Sequence, residues 1–212
     1  MIDKDIVGDD INTSEYHTKN NPGLEITLYN YIDIMTRKLF GEYKDGADRI
    51  TKMQQLQCEW IRLSMELFRR NKWFSSGIIY WMFNDCWPAA NSWSIIDYYG
   101  MPKPAYYAFK RCAKPVIASI DQKSDIYSVT ICNDSLERIS GEGELYLLNT
   151  TNNEILWSQT FRFDVTENMS SKVLEIGSDI LSEIYLQNTI LFCDIKGSFG
   201  SDRAFFLSSP YR

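Results

Sequence analysis

Hydrophobic and polar positions give this chain three successive textures. Residues 1–24 are polar and irregular, and an Asn20-Asn21-Pro22-Gly23 turn separates a short segment at 11–16 from the helical stretch beyond it. Residues 24–44 are aromatic-rich and read as helix, interrupted at Gly41. Over residues 47–71 the apolar positions Ile50, Met53, Leu56, Trp60, Leu63, Leu67 and Phe68 recur at helical spacing, which predicts one face of a long amphipathic helix. Arg49, Lys52, Arg62, Glu66 and Arg69 fall on its polar face, and we expect that face, and the Arg69-Arg70 end, to be solvated. Residues 77–83 form a continuous apolar run behind Gly77, the pattern of a strand covered on both sides in a parallel sheet. Pro102 and Pro104 can open a short helix over 104–112, because proline suits a first helical turn.

After Pro115 the pattern changes. Runs at 116–120, 127–133, 143–149, 155–163, 172–176, 189–196 and 204–208 are short, β-branched and aromatic, with turn signals such as Thr151-Asn152-Asn153 between them. Such a series of strands fits an immunoglobulin-like β-sandwich. The helix–strand–loop–helix order before it fits the end of a (β/α)8 TIM barrel. The fold class expected is therefore α/β followed by all-β. Residues 1–114 would be the C-terminal part of a barrel, its last two strands and helices, and residues 115–212 the sandwich, with the boundary in Ala113-Lys114-Pro115.

Composition narrows the function classes. The 212 residues are 44% apolar, enough to bury a core. The 22 basic and 28 acidic residues give a net charge of -6, with no basic cluster of the kind that tracks phosphates, so no nucleic-acid partner is expected. No apolar run has the length of a membrane span, and the N-terminus is acidic where a signal peptide would be basic and then apolar. No compartment is assigned, since a leader on a longer parent would not be visible here. Cys58, Cys86, Cys112, Cys132 and Cys193 are scattered and show no metal-ligand spacing, so we expect buried free thiols, no metal and no cofactor. A Ser-His-Asp triad could be built only around the one histidine, His17, and no nucleophile-elbow motif supports it.

The densest chemistry lies between Gly77 and Gly100, where Trp81, Trp87 and Trp93 supply three of the six tryptophans beside an amide and carboxylates. Tyr80-Trp81, then Asn84-Asp85, Trp87-Pro88, Ser92-Trp93-Ser94, Asp97-Tyr98-Tyr99-Gly100 and Lys103-Pro104-Ala105-Tyr106-Tyr107 occur in order. This order resembles the last barrel strand and following helix of family 2 glycoside hydrolases, and leans toward their β-mannosidase and exo-β-glucosaminidase branch. Upstream, Gln54, Gln57, Glu59, Glu66 and Arg69-Arg70 resemble the helix before that strand.

The resemblance implies a retaining exo-β-glycosidase that cleaves terminal β-linked sugars with two carboxylates, a nucleophile and an acid/base. In the family the nucleophile is a glutamate often set in Ser-Glu-Phe/Tyr-Gly, and Ser14-Glu15-Tyr16 matches it, with His17 in place of glycine. That makes Glu15 the candidate nucleophile. The family's acid/base is the Glu of an Asn-Glu pair far upstream of the nucleophile, and Asn153-Glu154, in a sandwich turn, cannot be it. The chain is thus expected to be the C-terminal portion of a larger enzyme, without its general acid and inactive alone.

Trp81 resembles the tryptophan that floors the sugar subsite, its indole offering a flat face to a pyranose. Asn84 and Asp85 would hydrogen-bond sugar hydroxyls or orient neighbours, though Asp85 could equally cap the following turn. Trp87 and Trp93 would line the rim or pack the loop. Asp97, Tyr98, Tyr99, Lys103, Tyr106 and Tyr107 read as a structural junction. The partner expected is a carbohydrate substrate, with self-association through an incomplete barrel. Two alternatives stay open: a non-catalytic carbohydrate-binding or scaffolding module, and a β-galactosidase or exo-β-glucosaminidase specificity.

Overall fold

The computed structural model of the chain describes residues 28–88, 92–182 and 188–207. They form α1 (Leu28–Phe40), α2 (Gly46–Arg70) and α3 (Pro104–Cys112), followed by seven strands and a short helix. The chain divides into two compact units, one holding residues up to 65 together with 78–111, the other holding residues 66–77 together with 112–211.

In the first unit, local chemistry sets the helix ends. Gly41 follows α1 with φ 76°, a left-handed conformation that glycine adopts without a Cβ penalty, and its N–H returns to the Arg37 carbonyl at 2.9 Å. Asp45 caps α2 by accepting the Asp48 N–H at 2.8 Å. Pro104 opens α3, and Lys110 and Arg111 occupy its last turn, where cations suit the helix dipole.

The polar face of α2 is not solvated as expected. Arg49, Glu59, Arg62, Glu66 and Arg69 are all buried, whereas Leu63, Leu67 and Phe68 from the apolar face are 40–49% exposed. The charges are buried because each finds a partner: Arg62 pairs with Glu59 at 2.6 Å, and Arg49 with Asp33 at 3.0 Å.

The expected strand over 77–83 does not form. A strand exists through its ladder, and among the described residues no backbone group of Ile78–Trp81 pairs with one. Met82 sits at φ 71°, which also breaks the extended path. Pairing begins only beyond it, where Asn84 bridges Ile96 in parallel. No barrel sheet is therefore seen among the described residues, and the other expected barrel strand, near residues 11–16, lies outside them.

The second unit is a two-sheet antiparallel sandwich. Its strands are β1 (Val116–Lys123), β2 (Ile126–Asn133), β3 (Ile139–Asn149), β4 (Ile155–Val165), β5 (Met169–Gly177), β6 (Thr189–Gly197) and β7 (Gly200–Phe206), with α4 (Ser178–Ser182) after β5. One sheet has the order β1-β2-β5 and the other β4-β3-β6-β7. In β6, alternate residues Thr189, Leu191, Cys193 and Ile195 are buried, the two-residue period of a sheet with one face on a core. Val129, Ile131, Leu145, Leu147, Leu191 and Ile195 are core residues from both sheets. Gly141 lets strands and rings approach: a Cβ there would lie 2.3 Å from the Lys196 carbonyl oxygen and 2.7 Å from the Phe163 ring.

β2 is buried along nearly its whole length, not alternately. Its sheet is covered on the second face by residues 66–77. Ser119 donates to Glu66 at 3.0 Å, Arg70 donates to Ser119 at 2.5 Å, and Ser170 donates to the Arg69 carbonyl at 2.7 Å. The Arg69 guanidinium, expected at a solvated helix end, is buried and donates to the carbonyls of Cys112 (2.6 Å), Lys114 (2.7 Å) and Pro115 (3.0 Å). The Cys112 and Lys114 carbonyls lie at and just past the end of α3, where a cation suits the helix dipole.

All five cysteines are free thiols. Cys112, Cys132 and Cys193 are buried, but Cys58 is half-buried and Cys86 exposed, the latter because it lies in a bend and not on a packed strand.

Candidate functional site

The segment from Tyr80 to Lys103 is held together by polar groups from three directions. Gln57, on α2, donates its side-chain amide to the carbonyls of Trp93 (2.8 Å) and Ser94 (3.0 Å). Tyr80 donates its hydroxyl to the same Trp93 carbonyl, and its ring leans on Phe109 of α3 at 5.8 Å between centroids. Burial pushes the Tyr80 phenol above its ordinary pKa, with the Gln57 hydrogen bond opposing and the Asp85 charge adding to the rise. Tyr80 therefore serves as a neutral donor.

Asp85 is the buried acid of the group, its side chain 1% exposed. Its Oδ2 receives Lys103 Nζ at 3.1 Å and its Oδ1 receives the Ser92 hydroxyl. Lys103 Nζ also donates to Ser94 Oγ at 2.8 Å, and the two serine hydroxyls lie 2.9 Å apart. The backbone reinforces this arrangement: Asp85 N–H donates to Ile96 O at 3.0 Å, and the N–H groups of Ile95 and Ile96 converge on Phe83 O at 3.2 and 3.0 Å.

Other predicted site residues are more open than Asp85. Trp81 is 75% exposed, Asn84 and Trp87 are exposed, and Trp93 is half-buried. Asn84 donates its amide nitrogen to the Asp85 carbonyl at 3.2 Å. Among the expected structural residues, Asp97 closes a turn by accepting the Met101 N–H at 2.8 Å, while Tyr98 and Tyr99 make an edge-on pair at 5.3 Å. Glu15 and His17 lie outside the described residues. The structure thus ties Asp85 and the Trp93 backbone into one network through Gln57, Tyr80, Ser92, Ser94 and Lys103, with Asn84 beside Asp85, and leaves Trp81 exposed. The Ser-Trp-Ser and Lys-Pro motifs carried Ser92, Ser94 and Lys103 in the sequence, the Tyr-Trp pair carried Tyr80 and the preceding helix Gln57, but none of them carried their convergence on Asp85 and on Trp93. Among the described residues no cluster of His, Cys, Asp and Glu could hold a metal ion, and no helix is long and apolar enough to cross a membrane.

No protein-family profile matches the chain. Individual proteins do. A β-mannosidase B of Aspergillus flavus is 37% identical over 81 residues, covering 36% of this chain and 9% of that protein. A β-mannosidase B of Aspergillus fumigatus is 31% identical over 123 residues, covering 56% of this chain and 14% of that protein. The β-D-mannosidase of Dictyoglomus thermophilum superposes with a TM-score of 0.84 at 24% identity, over 100% of this chain and 25% of its own. The exo-chitosanase of Amycolatopsis orientalis gives 0.69 at 19% identity, over 98% and 24%.

The solved structures share the fold. Together with the sequence relatives they bear out the resemblance to family 2 glycoside hydrolases, over the C-terminal portion of those enzymes. Within that family the sequence relatives are β-mannosidases, and the chain spans 9% to 14% of their length.

Proposed function

We propose that this chain is the C-terminal portion of a retaining exo-β-glycosidase of β-mannosidase type, with residues 1–114 completing a (β/α)8 barrel and residues 115–212 an immunoglobulin-like sandwich. The observation that carries the reading is the exposed Trp81 and Asn84 beside a braced, buried Asp85, in a chain whose sequence relatives are β-mannosidases. An open indole face and a free amide oxygen are the groups that hold a pyranose, one by stacking and one by accepting from a hydroxyl.

In this reading Glu15 attacks the anomeric carbon and an acid/base from elsewhere in the protein protonates the leaving oxygen. The 212-residue chain alone does not hydrolyse a glycoside, because loss of general acid catalysis typically costs about 10² to 10⁴ in rate and most of the pocket is missing as well. The apolar side chains exposed along the 78–83 segment, Ile79 and Trp81 above all, promote self-association of the chain by itself. Turnover of aryl β-D-mannoside, β-D-glucosaminide and β-D-galactoside by the protein extended upstream tests the proposal. Preference for the mannoside, lost in Glu15→Gln, is the expected result. A mannoside bound but never cleaved, with Glu15→Gln without effect, would favour a carbohydrate-binding module.

A further inference from the structure

We infer that Lys103 and Gln57 are positioning residues for the proposed sugar site, and that Asp85 belongs with them and does not contact the sugar. This rests on the β-glycosidase reading above. The Asp85 carboxylate is satisfied inside the protein: its side chain is 1% exposed, one oxygen faces Lys103 Nζ at 3.1 Å and the other the Ser92 hydroxyl. A ligand hydroxyl would have to displace the half-buried Lys103 ammonium to reach it.

The neighbouring Asn84 has the opposite character. It is exposed, and its described hydrogen bond uses the amide nitrogen, so its amide oxygen remains an acceptor. What fixes Asn84 is the short ladder on either side of it, Asp85 N–H to Ile96 O at 3.0 Å and Ile96 N–H to Phe83 O at 3.0 Å. Residues 92–96 are in turn held by Gln57 through two carbonyls, by Tyr80 through one, and by Lys103 through Ser94 Oγ. The backbone of Lys103 is itself fixed, since its N–H donates to Ile95 O at 2.9 Å. A buried ion pair adds little net stability over a well-packed apolar pair but fixes one geometry, and here the geometry fixed is that of Asn84 and the Trp93 loop.

The test separates position from stability. Lys103→Met, Asp85→Leu and the double variant are compared, in the 212-residue chain by Tm and by NMR signals of the Asn84 side-chain amide and the Trp93 indole, and in the upstream-extended protein by kinetics on an aryl β-D-mannoside. Each single variant should lower Tm and move both signals. The double variant should recover most of the Tm while the signals stay displaced and kcat/KM remains about tenfold down, the scale of one well-placed hydrogen bond. Gln57→Leu should displace the Trp93 signal. Signals and kcat/KM that return with Tm in the double variant, or that never move, would overturn the inference. No turnover by the unsubstituted extended protein, with the chain's signals behaving as stated, would instead overturn the glycosidase reading alone.

Discussion

Ser119, in the middle of β1, donates a 3.0 Å hydrogen bond to the fully buried carboxylate of Glu66, a residue of α2. The contact makes the end of α2 part of the sandwich unit. Arg70 reaches the same serine, and Arg69 collects three carbonyls around Pro115.

Removing one member of this group takes a hydrogen-bond partner from groups buried beside it. Glu66→Ala and Arg69→Ala should each destabilise the sandwich unit by about 3 kcal/mol or more, read by urea unfolding. Arg138→Ala, whose pair with Asp164 is exposed, should change little. Equal effects from the three substitutions would mean that residues 66–77 are not part of the sandwich.

Leu147, 1% exposed, is packed between the sheets, and Leu147→Ala should cost about 2 to 5 kcal/mol through lost burial and a cavity. Leu136, 88% exposed, should tolerate the same change within about 0.5 kcal/mol. Gly141→Val should destabilise too, because its Cβ meets the Lys196 backbone. Thermal denaturation of the three variants checks the order.

Asp33 accepts from Arg37 Nε at 2.9 Å and Tyr43 Oη at 3.0 Å, and pairs with Arg49. Burial alone would raise its pKa, but these partners outweigh it and hold the carboxyl below its ordinary value of 3.8. Its contribution is therefore complete above that value and disappears as pH falls through the lower, folded one. Asp33→Asn should lower Tm at neutral pH, and the gap from the unsubstituted chain should close in strong acid. A gap independent of pH would contradict the assignment.

Ile79 is 96% and Trp81 75% exposed on a segment without a pairing strand among the described residues. The chain by itself should associate with rising concentration, and Ile79→Asp should suppress this, as followed by sedimentation velocity. Association unaffected by Ile79→Asp would place the contact elsewhere.

The helices and strands were largely legible in the sequence because their signals are local. Helical spacing gave α2, Pro104 gave the start of α3, and β-branched runs gave the sandwich strands to within a few residues at each end. What the sequence misread was decided by distant partners. Arg62, Glu66 and Arg69 look like a solvated face until Glu59, Ser119 and the carbonyls near Pro115 are placed against them. Residues 77–83 have the composition of a buried strand, but composition does not supply a neighbour. At the candidate site Trp81 and Asn84 stood out by type, whereas the pairing of Asp85 with Lys103 depends on a loop that brings residues eighteen positions apart together.

The proposed role of Glu15 as nucleophile is tested most directly by the rate of aryl β-D-mannoside cleavage by the upstream-extended protein, with and without Glu15→Gln. Expected are turnover in the extended protein, a loss of several orders of magnitude in Glu15→Gln, and none in the 212-residue chain alone. Turnover by the 212-residue chain, or full activity in Glu15→Gln, would contradict the proposal.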